Sequence, residues 1–268
     1  MLFTDQISHT IEISNTPKRI ISAVPSQTEL LYDLGLENEV VGITKFCVHP
    51  EEWFRNKTRI GGTKNLNIEK IKALNPDLII ANKEENTEAE IKALQQLFPV
   101  WTSDISTLQD SLNMIKTIGE IIKKNENASR LINTIEQEFE KYQSNFTKRH
   151  TALYLIWKKP YMSVGNDTII HHLMDYCGFD NVLKDKTRYP EISKPEIQQL
   201  QPEYILLSSE PYPFKEKHIA ELKSFCPTSK IMLVDGEMFS WYGSRLQYAP
   251  TYFFNLWNGI KFANQKNL

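Results

Sequence analysis

The chain is poor in the residues that usually announce catalysis, metals or membranes. Its 268 residues hold three cysteines, Cys47, Cys177 and Cys226, far apart and without a C-x-x-C pair. That spacing excludes an ordinary structural zinc site and allows at most one disulfide; reduced, packed thiols are the expectation. Ten glycines form no G-x-G-x-x-G, P-loop or G-x-S-x-G, and Gly61-Gly62 is too short to cradle a phosphate. No H-E-x-x-H occurs among the histidines His9, His49, His150, His171, His172 and His218, and adjacent His171 and His172 point to different sides of a helix. No catalytic residue, resident metal or cofactor is therefore expected. Charge of one sign is also missing: 31 Lys and Arg face 33 Asp and Glu, which gives nucleic acid no basic surface to bind. No apolar run approaches the ~20 residues that span a bilayer. The opening M-L-F-T-D-Q-I-S-H-T lacks a basic region and a continuous apolar core, so it does not read as a signal peptide. A cytoplasmic protein, or one whose leader has been replaced, both remain open.

What is present is a repeat. Ile71–Ala81 reads I-K-A-L-N-P-D-L-I-I-A and Ile197–Leu207 reads I-Q-Q-L-Q-P-E-Y-I-L-L, with Leu74, Pro76 and Asp77 falling on Leu200, Pro202 and Glu203. In each copy a short amphipathic helix ends at leucine, proline stops it, and a buried strand follows. A repeat at about half the chain length predicts two similar lobes rather than a solenoid, whose period is roughly 20–50 residues. Two lobes leave a cleft, where small ligands bind.

Apolar, β-branched runs alternate with helical patterns throughout, the mark of parallel α/β units. Strands are predicted at Arg19–Val24, Val40–Thr44, Leu78–Ala81 and Val100–Thr102, then at Ala152–Trp157, Tyr161–Val164, Tyr204–Ser208 and Lys230–Val234. A weaker echo pairs the segment from Val24 with that from Val164, each a strand turning into a helix that closes at glycine, Gly35 or Gly178. Lys123–Arg149 has no proline or glycine and carries Leu131, Ile132, Ile135, Phe139 and Tyr142 on one face. The predicted organisation is an N-terminal α/β lobe over residues 1–122, a backbone helix over 123–149 and a C-terminal α/β lobe over 150–268.

Ser26-Gln27-Thr28-Glu29 has the form of a capping box before Leu30, Leu31 and Leu34. Asn67 and Ser193 are expected N-caps of the two repeat helices, with Glu69 and Glu196 in their first turns. Several aromatics fall just after predicted strands, where open α/β sheets bind ligands: Phe46 in T-K-F-C-V-H-P, Tyr161 in K-K-P-Y and Tyr189 in T-R-Y-P. The segment after the last strand adds Phe239, Trp241, Tyr242 and Arg245. Arg245 suits a carboxylate or phosphate of a ligand, and core or rim packing is the plainer reading of each aromatic.

The segments R-I-I-S-A-V-P-S-Q-T-E-L-L-Y-D-L-G, V-V-G-I-T-K-F-C-V-H-P, N-L-N-I-E-K-I-K-A-L-N-P-D-L-I-I-A and G-F-D-N-V-L resemble the substrate-binding proteins of ABC importers for cobalamin, ferric siderophores and haem, the helical-backbone metal receptors. The resemblance runs in order from about Lys18 to Trp257. It implies two Rossmann-like lobes joined by one long backbone helix (a class III periplasmic binding protein), an extracytoplasmic location, a metal-chelate ligand, an ABC permease as membrane partner, and a monomer. The chain is most similar to the cobalamin-binding members. Phe46, Tyr161 and Tyr189 match their corrin-facing aromatics, while Thr63 and Asn82 stand where they carry tryptophans. The disulfide partner of Cys177 is replaced near Trp257. Glu69 matches a permease-docking glutamate, and Glu196 lies one residue past the second. The rival reading is a cytoplasmic tetrapyrrole metal chelatase, an enzyme of similar architecture that would use His172 or His49 with Glu237 on metal.

Overall fold

The repeat becomes structure with all its boundaries in register. In a computed structural model, which describes residues 1–265 and the side chains up to residue 259, the two copies form helices Ile68–Leu74 and Lys194–Leu200, followed by strands Leu78–Asn82 and Tyr204–Ser208. The Asn67 side chain accepts from Lys70 N at 2.9 Å. Ser193 forms a full capping box with Glu196, whose carboxylate takes Ser193 N at 2.7 Å, and these Ser193 contacts hold Glu196 below the usual carboxylate range. Both helices end in a left-handed residue, Asn75 and Gln201, each at φ 43°. The acid after each proline fastens this joint to the first strand of its own sheet. Asp77 accepts from Lys18 N and Arg19 N at 2.7 and 2.9 Å, and Glu203 accepts from Thr151 N at 3.1 Å and contacts His150 Nδ1 at 2.9 Å.

The strands so delivered are buried along their whole length, as parallel strands covered on both faces must be. The first sheet has the order Thr58–Arg59, Val40–Ile43, Ile20–Ser22, Leu78–Asn82, Val100–Ser103, and the second Phe179–Asn181, His150–Leu155, Tyr204–Ser208, Lys230–Val234. Every pairing in both is parallel. Setting aside the extra edge strand of the first, both run second, first, third, fourth, a doubly wound order. Gly35 and Gly178 close their helices at φ 80° and 83°, confirming the second echo. Tyr161–Val164 departs from expectation: Tyr161–Met162 pairs antiparallel with Glu191–Ile192, outside the main sheet. The edge strand Phe179–Asn181 was hidden in sequence because it is short and carries Asp180.

The chain forms two compact units. One comprises Met1–Ile105, Gln109–Ile135 and Tyr242–Arg245, the other Ser106–Leu108, Glu136–Trp241 and Leu246–Leu268. The predicted backbone helix is shorter than 123–149. Lys123 turns left-handed at φ 58° after the helix Leu108–Ile121, and the long helix occupies Asn125–Gln143. Its 19 residues span about 28 Å at ~1.5 Å each. Ile135 and Phe139 are buried as the apolar stripe required, Phe139 against Tyr176 at 4.6 Å between ring centroids. No described helix is long and apolar enough to cross a membrane.

The left-handed caps supply a test. A side chain at positive φ costs about 1–2 kcal/mol unless it is Gly, Asn or Asp, and glycine returns part of that as unfolded-chain entropy. Gln201→Gly should therefore raise stability in urea unfolding by about 0.5–1 kcal/mol, and Asn75→Gly by less. A loss at Gln201 would show that its side chain has an unrecognised partner.

Candidate functional site

The loops at the carboxyl ends of the strands carry most of the sequence-predicted ligand residues. In the first unit Phe46 follows the strand Val40–Ile43 and is 51% exposed, with Lys45 Nζ 5.0 Å from its ring centroid. Beneath it lies Gly62, where a Cβ would meet Phe46 Cε2 at 3.2 Å. Thr63 follows directly and is buried, its carbonyl accepting from Asn86 Nδ2 at 2.9 Å. Asn82 is also buried, and its polar atoms are used inside the fold. Nδ2 donates to Ser103 Oγ at 2.9 Å, while Oδ1 accepts from Glu84 N and Glu85 N at 2.8 and 3.0 Å. Phe46 thus stands out on a loop network held by asparagines, a role for Asn82 and Asn86 that N-K-E-E-N hints at only as a turn.

In the second unit Tyr161 is buried, its hydroxyl donating to Glu221 Oε1 at 3.1 Å. Burial first, then the Glu221 charge, push its phenol far above the ordinary range. Glu221 also pairs with Lys158. Tyr189 is half-buried with Arg188 5.8 Å from its ring. Phe239 is a correction: it has no exposed surface and packs on Phe253 and Tyr154 at 4.7 and 5.2 Å, because the helix Gly236–Ser240 turns it into the core. Trp241 and Tyr242 are buried, and burial raises the Tyr242 phenol strongly. Trp157 and Tyr212, which were not among the candidates, stand at the carboxyl ends of the two central strands. I-W-K-K-P and E-P-Y-P, aromatics beside prolines right after a strand, were the signal.

Arg245 is committed within the protein. Its guanidinium forks onto Glu29, Nε to Oε2 at 2.9 Å and Nη2 to Oε1 at 2.6 Å, both side chains largely buried. The same pair overturns the capping box at Ser26. The helix Pro25–Asp33 starts two residues earlier than a Ser26 cap would set it, with Val24 as N-cap, no side-chain cap and proline in the first turn. Glu29 is therefore past the reach of the N-terminus and free to meet Arg245.

Glu69 is fully presented, its side chain 82% exposed and 2.9 Å from Lys72 one turn on. The three cysteines are buried and free, and Trp257 Nε1 donates to the Cys177 carbonyl. No group of three His, Cys, Asp or Glu among the described residues could hold a metal ion. A hollow of about 410 Å³ in the second unit is bordered by Arg149, Asp175 and Asp180. The two carboxylates share the one guanidinium through contacts of 2.6 and 2.5 Å, and no predicted ligand residue lines it.

The periplasmic binding protein family model matches residues 20–225, from the first sheet strand to the turn before the last. The chain belongs to the periplasmic binding protein family. Among relatives, a vitamin B12-binding protein of Pectobacterium atrosepticum is 25% identical over 245 residues, covering 87% of this chain and 86% of the relative. An uncharacterised ABC transporter substrate-binding lipoprotein of Bacillus subtilis is 28% identical over 213 residues, covering 75% and 67%. The solved periplasmic vitamin B12 binding protein of Vibrio cholerae superposes with a TM-score of 0.78 at 22% identity, covering 90% of this chain and 96% of that one. That likeness establishes a shared fold.

The buried fork predicts a large, repairable cost. Removing one partner of a buried ion pair leaves a charge without compensation, typically about 3–5 kcal/mol, while two apolar residues are tolerated. Since both groups keep some solvent contact, Arg245→Met should lower stability by about 2–4 kcal/mol in urea unfolding. Glu29→Met added to it should recover most of the loss. Additive losses would show that the two side chains act separately.

Proposed function

We propose that this chain is the substrate-binding component of an ABC importer, working outside the cytoplasmic membrane, with a metal chelate as its ligand: a cobalamin-like corrinoid or a ferric siderophore, with haem as a related candidate. Family membership and the names of its relatives support this reading. The observation that carries it is Phe46, a large apolar ring held half in water at the carboxyl end of a parallel strand. Burying such a ring against a flat conjugated ligand releases water from both faces and adds a geometry-dependent aromatic contribution of about 0.5–1.5 kcal/mol. Thr63 and Asn82, in place of the bulkier aromatics of the cobalamin-binding group, leave Phe46 to supply the apolar contact of the first unit.

Titration of the purified protein with cyanocobalamin, haemin and ferric siderophores should give saturable binding of one of these at one chelate per chain. Phe46→Ala should weaken that binding about tenfold, the size of a moderate aromatic contact. Failure of every chelate to bind would sink the receptor reading.

The permease is the second partner in this reading, and Glu69 its docking charge. The exposed Glu69 carboxylate pairs only with the solvent-exposed Lys72, a contact that an arginine can displace at little cost, whereas Glu196 spends its carboxylate on capping its own helix at Ser193. Truncating one side of a buried interfacial charge pair costs about 2–5 kcal/mol. In vesicles carrying the cognate permease, Glu69→Ala should cut uptake at least tenfold and leave soluble chelate affinity unchanged, with Glu196→Ala doing less. Equal uptake by wild type and Glu69→Ala would remove Glu69 from the docking surface.

A further inference from the structure

Four of the five tryptophans, Trp53, Trp101, Trp241 and Trp257, are buried, and Trp157 alone is 40% exposed. It lies two residues past the strand His150–Leu155, and Tyr212 lies four past its parallel neighbour Tyr204–Ser208. These are the first and third strands of a second-first-third-fourth sheet. The two rings therefore flank the topological switch point, the place where open α/β sheets receive ligands. In the first unit the corresponding gap is bridged by Asn86, which donates to Ala23 O at 3.2 Å. In the second it carries aromatic rings instead. Trp157 and Tyr212 meet edge to face at 5.6 Å. Their backbones are pinned, Met162 N donating to Trp157 O at 3.1 Å and Tyr212 N to Ile156 O at 3.3 Å. Trp157 thus packs on Tyr212 on a rigid mount and still leaves 40% of its surface to solvent.

The polarity of the Tyr212 hydroxyl follows from His218, which is buried. Lys215 N donates to His218 Nδ1 at 2.8 Å, so Nδ1 carries no proton and the neutral ring holds it on Nε2. Burial first, then Lys158 and Lys217, keep His218 below the usual histidine range, in keeping with a neutral ring. Nε2 lies 3.3 Å from Tyr212 Oη and donates to it. One lone pair of the phenol is thereby taken, and its own hydrogen is left to point elsewhere. Tyr212 is a preset donor.

We infer that Trp157 and Tyr212 are ligand-contacting residues of the second unit, Trp157 covering part of a planar chelate and Tyr212 donating to an oxygen acceptor on the chelate's rim, a carboxylate or an amide carbonyl. His218 is a positioning residue for that donor. This inference rests on the chelate-binding reading above and adds to it which residues select, and for which rim chemistry.

The test uses the full chain with cyanocobalamin, haemin and ferric citrate as probes. N-bromosuccinimide oxidation mapped by peptide mass spectrometry should modify Trp157 first in the free protein, and a saturating bound probe should slow that modification at least tenfold. Tyr212→Phe should weaken binding of the same probe about tenfold, the size of one lost hydrogen bond to a strong acceptor, at a temperature where the variant is still fully folded, since orphaning the His218 N–H also lowers the melting temperature by a few degrees. If a chelate binds and Trp157 is oxidised at its free rate, the Trp157 contact is wrong while the receptor reading stands. If Tyr212→Phe binds as wild type does, the preset donor is wrong. If no chelate binds the wild type, the receptor reading falls and this inference with it.

Discussion

Each unit depends on one joint: a short helix that ends at leucine, a left-handed residue, a proline, and an acid that delivers an apolar strand into the middle of a parallel sheet. Proline denies the helix a further turn, and the left-handed residue at φ 43° redirects the chain. The carboxylate of Asp77 or Glu203 then ties the incoming strand to the first strand by accepting from backbone N–H groups at that strand's amino end. Once Leu78–Asn82 and Tyr204–Ser208 lie beside the first strands, both of their faces must be covered, and the flanking helices have only those faces to pack on. The doubly wound order and the position of the carboxyl-end loops follow from that joint.

The loops then divide their polar and apolar groups differently. In the first unit, asparagines and serines satisfy one another beneath the surface, so that Phe46 projects from a network of hydrogen bonds. The second unit is more aromatic, and its hydroxyls are held by ionisable side chains. Tyr161 is held by Glu221, Tyr212 by His218, and Lys158 lies against Glu221. Buried polar groups of this kind are costly unless fully paired, and here pairing also fixes which way each hydroxyl points. A surface built to recognise a rim of oxygen atoms needs such fixed directions more than it needs additional apolar area.

The Glu29–Arg245 fork shows how far apart in sequence two halves of one decision can lie. Both residues looked available for other work, Glu29 as a cap and Arg245 as an anion clamp. The helix began at Pro25 and put Glu29 a full turn inside, where a carboxylate shielded from water requires a cation. The segment Tyr242–Arg245, counted with the first unit though it comes from the far end of the chain, brings that cation. Phe239, three residues ahead of this segment, fell to the core for a related reason: a helix of five residues leaves little choice of which side faces in.

By itself, the sequence determined the α/β class, the repeat with both of its caps, the main strands, the glycine-closed helices and the family resemblance. These are carried by residues close in the chain, where proline, glycine, capping side chains and apolar periodicity act within a turn or two. It also placed Phe46, Tyr161 and Tyr189 after or beside strands. Only the tertiary structure decided that the long helix stops at Gln143, that Asn82 and Arg245 are spent on internal partners, that Phe239 is core, and that Trp157 and Tyr212 flank one switch point. Those outcomes depend on which distant side chain arrives to neutralise a charge, accept a hydrogen bond or cover a ring. No local pattern encodes an arrival from the other end of the chain.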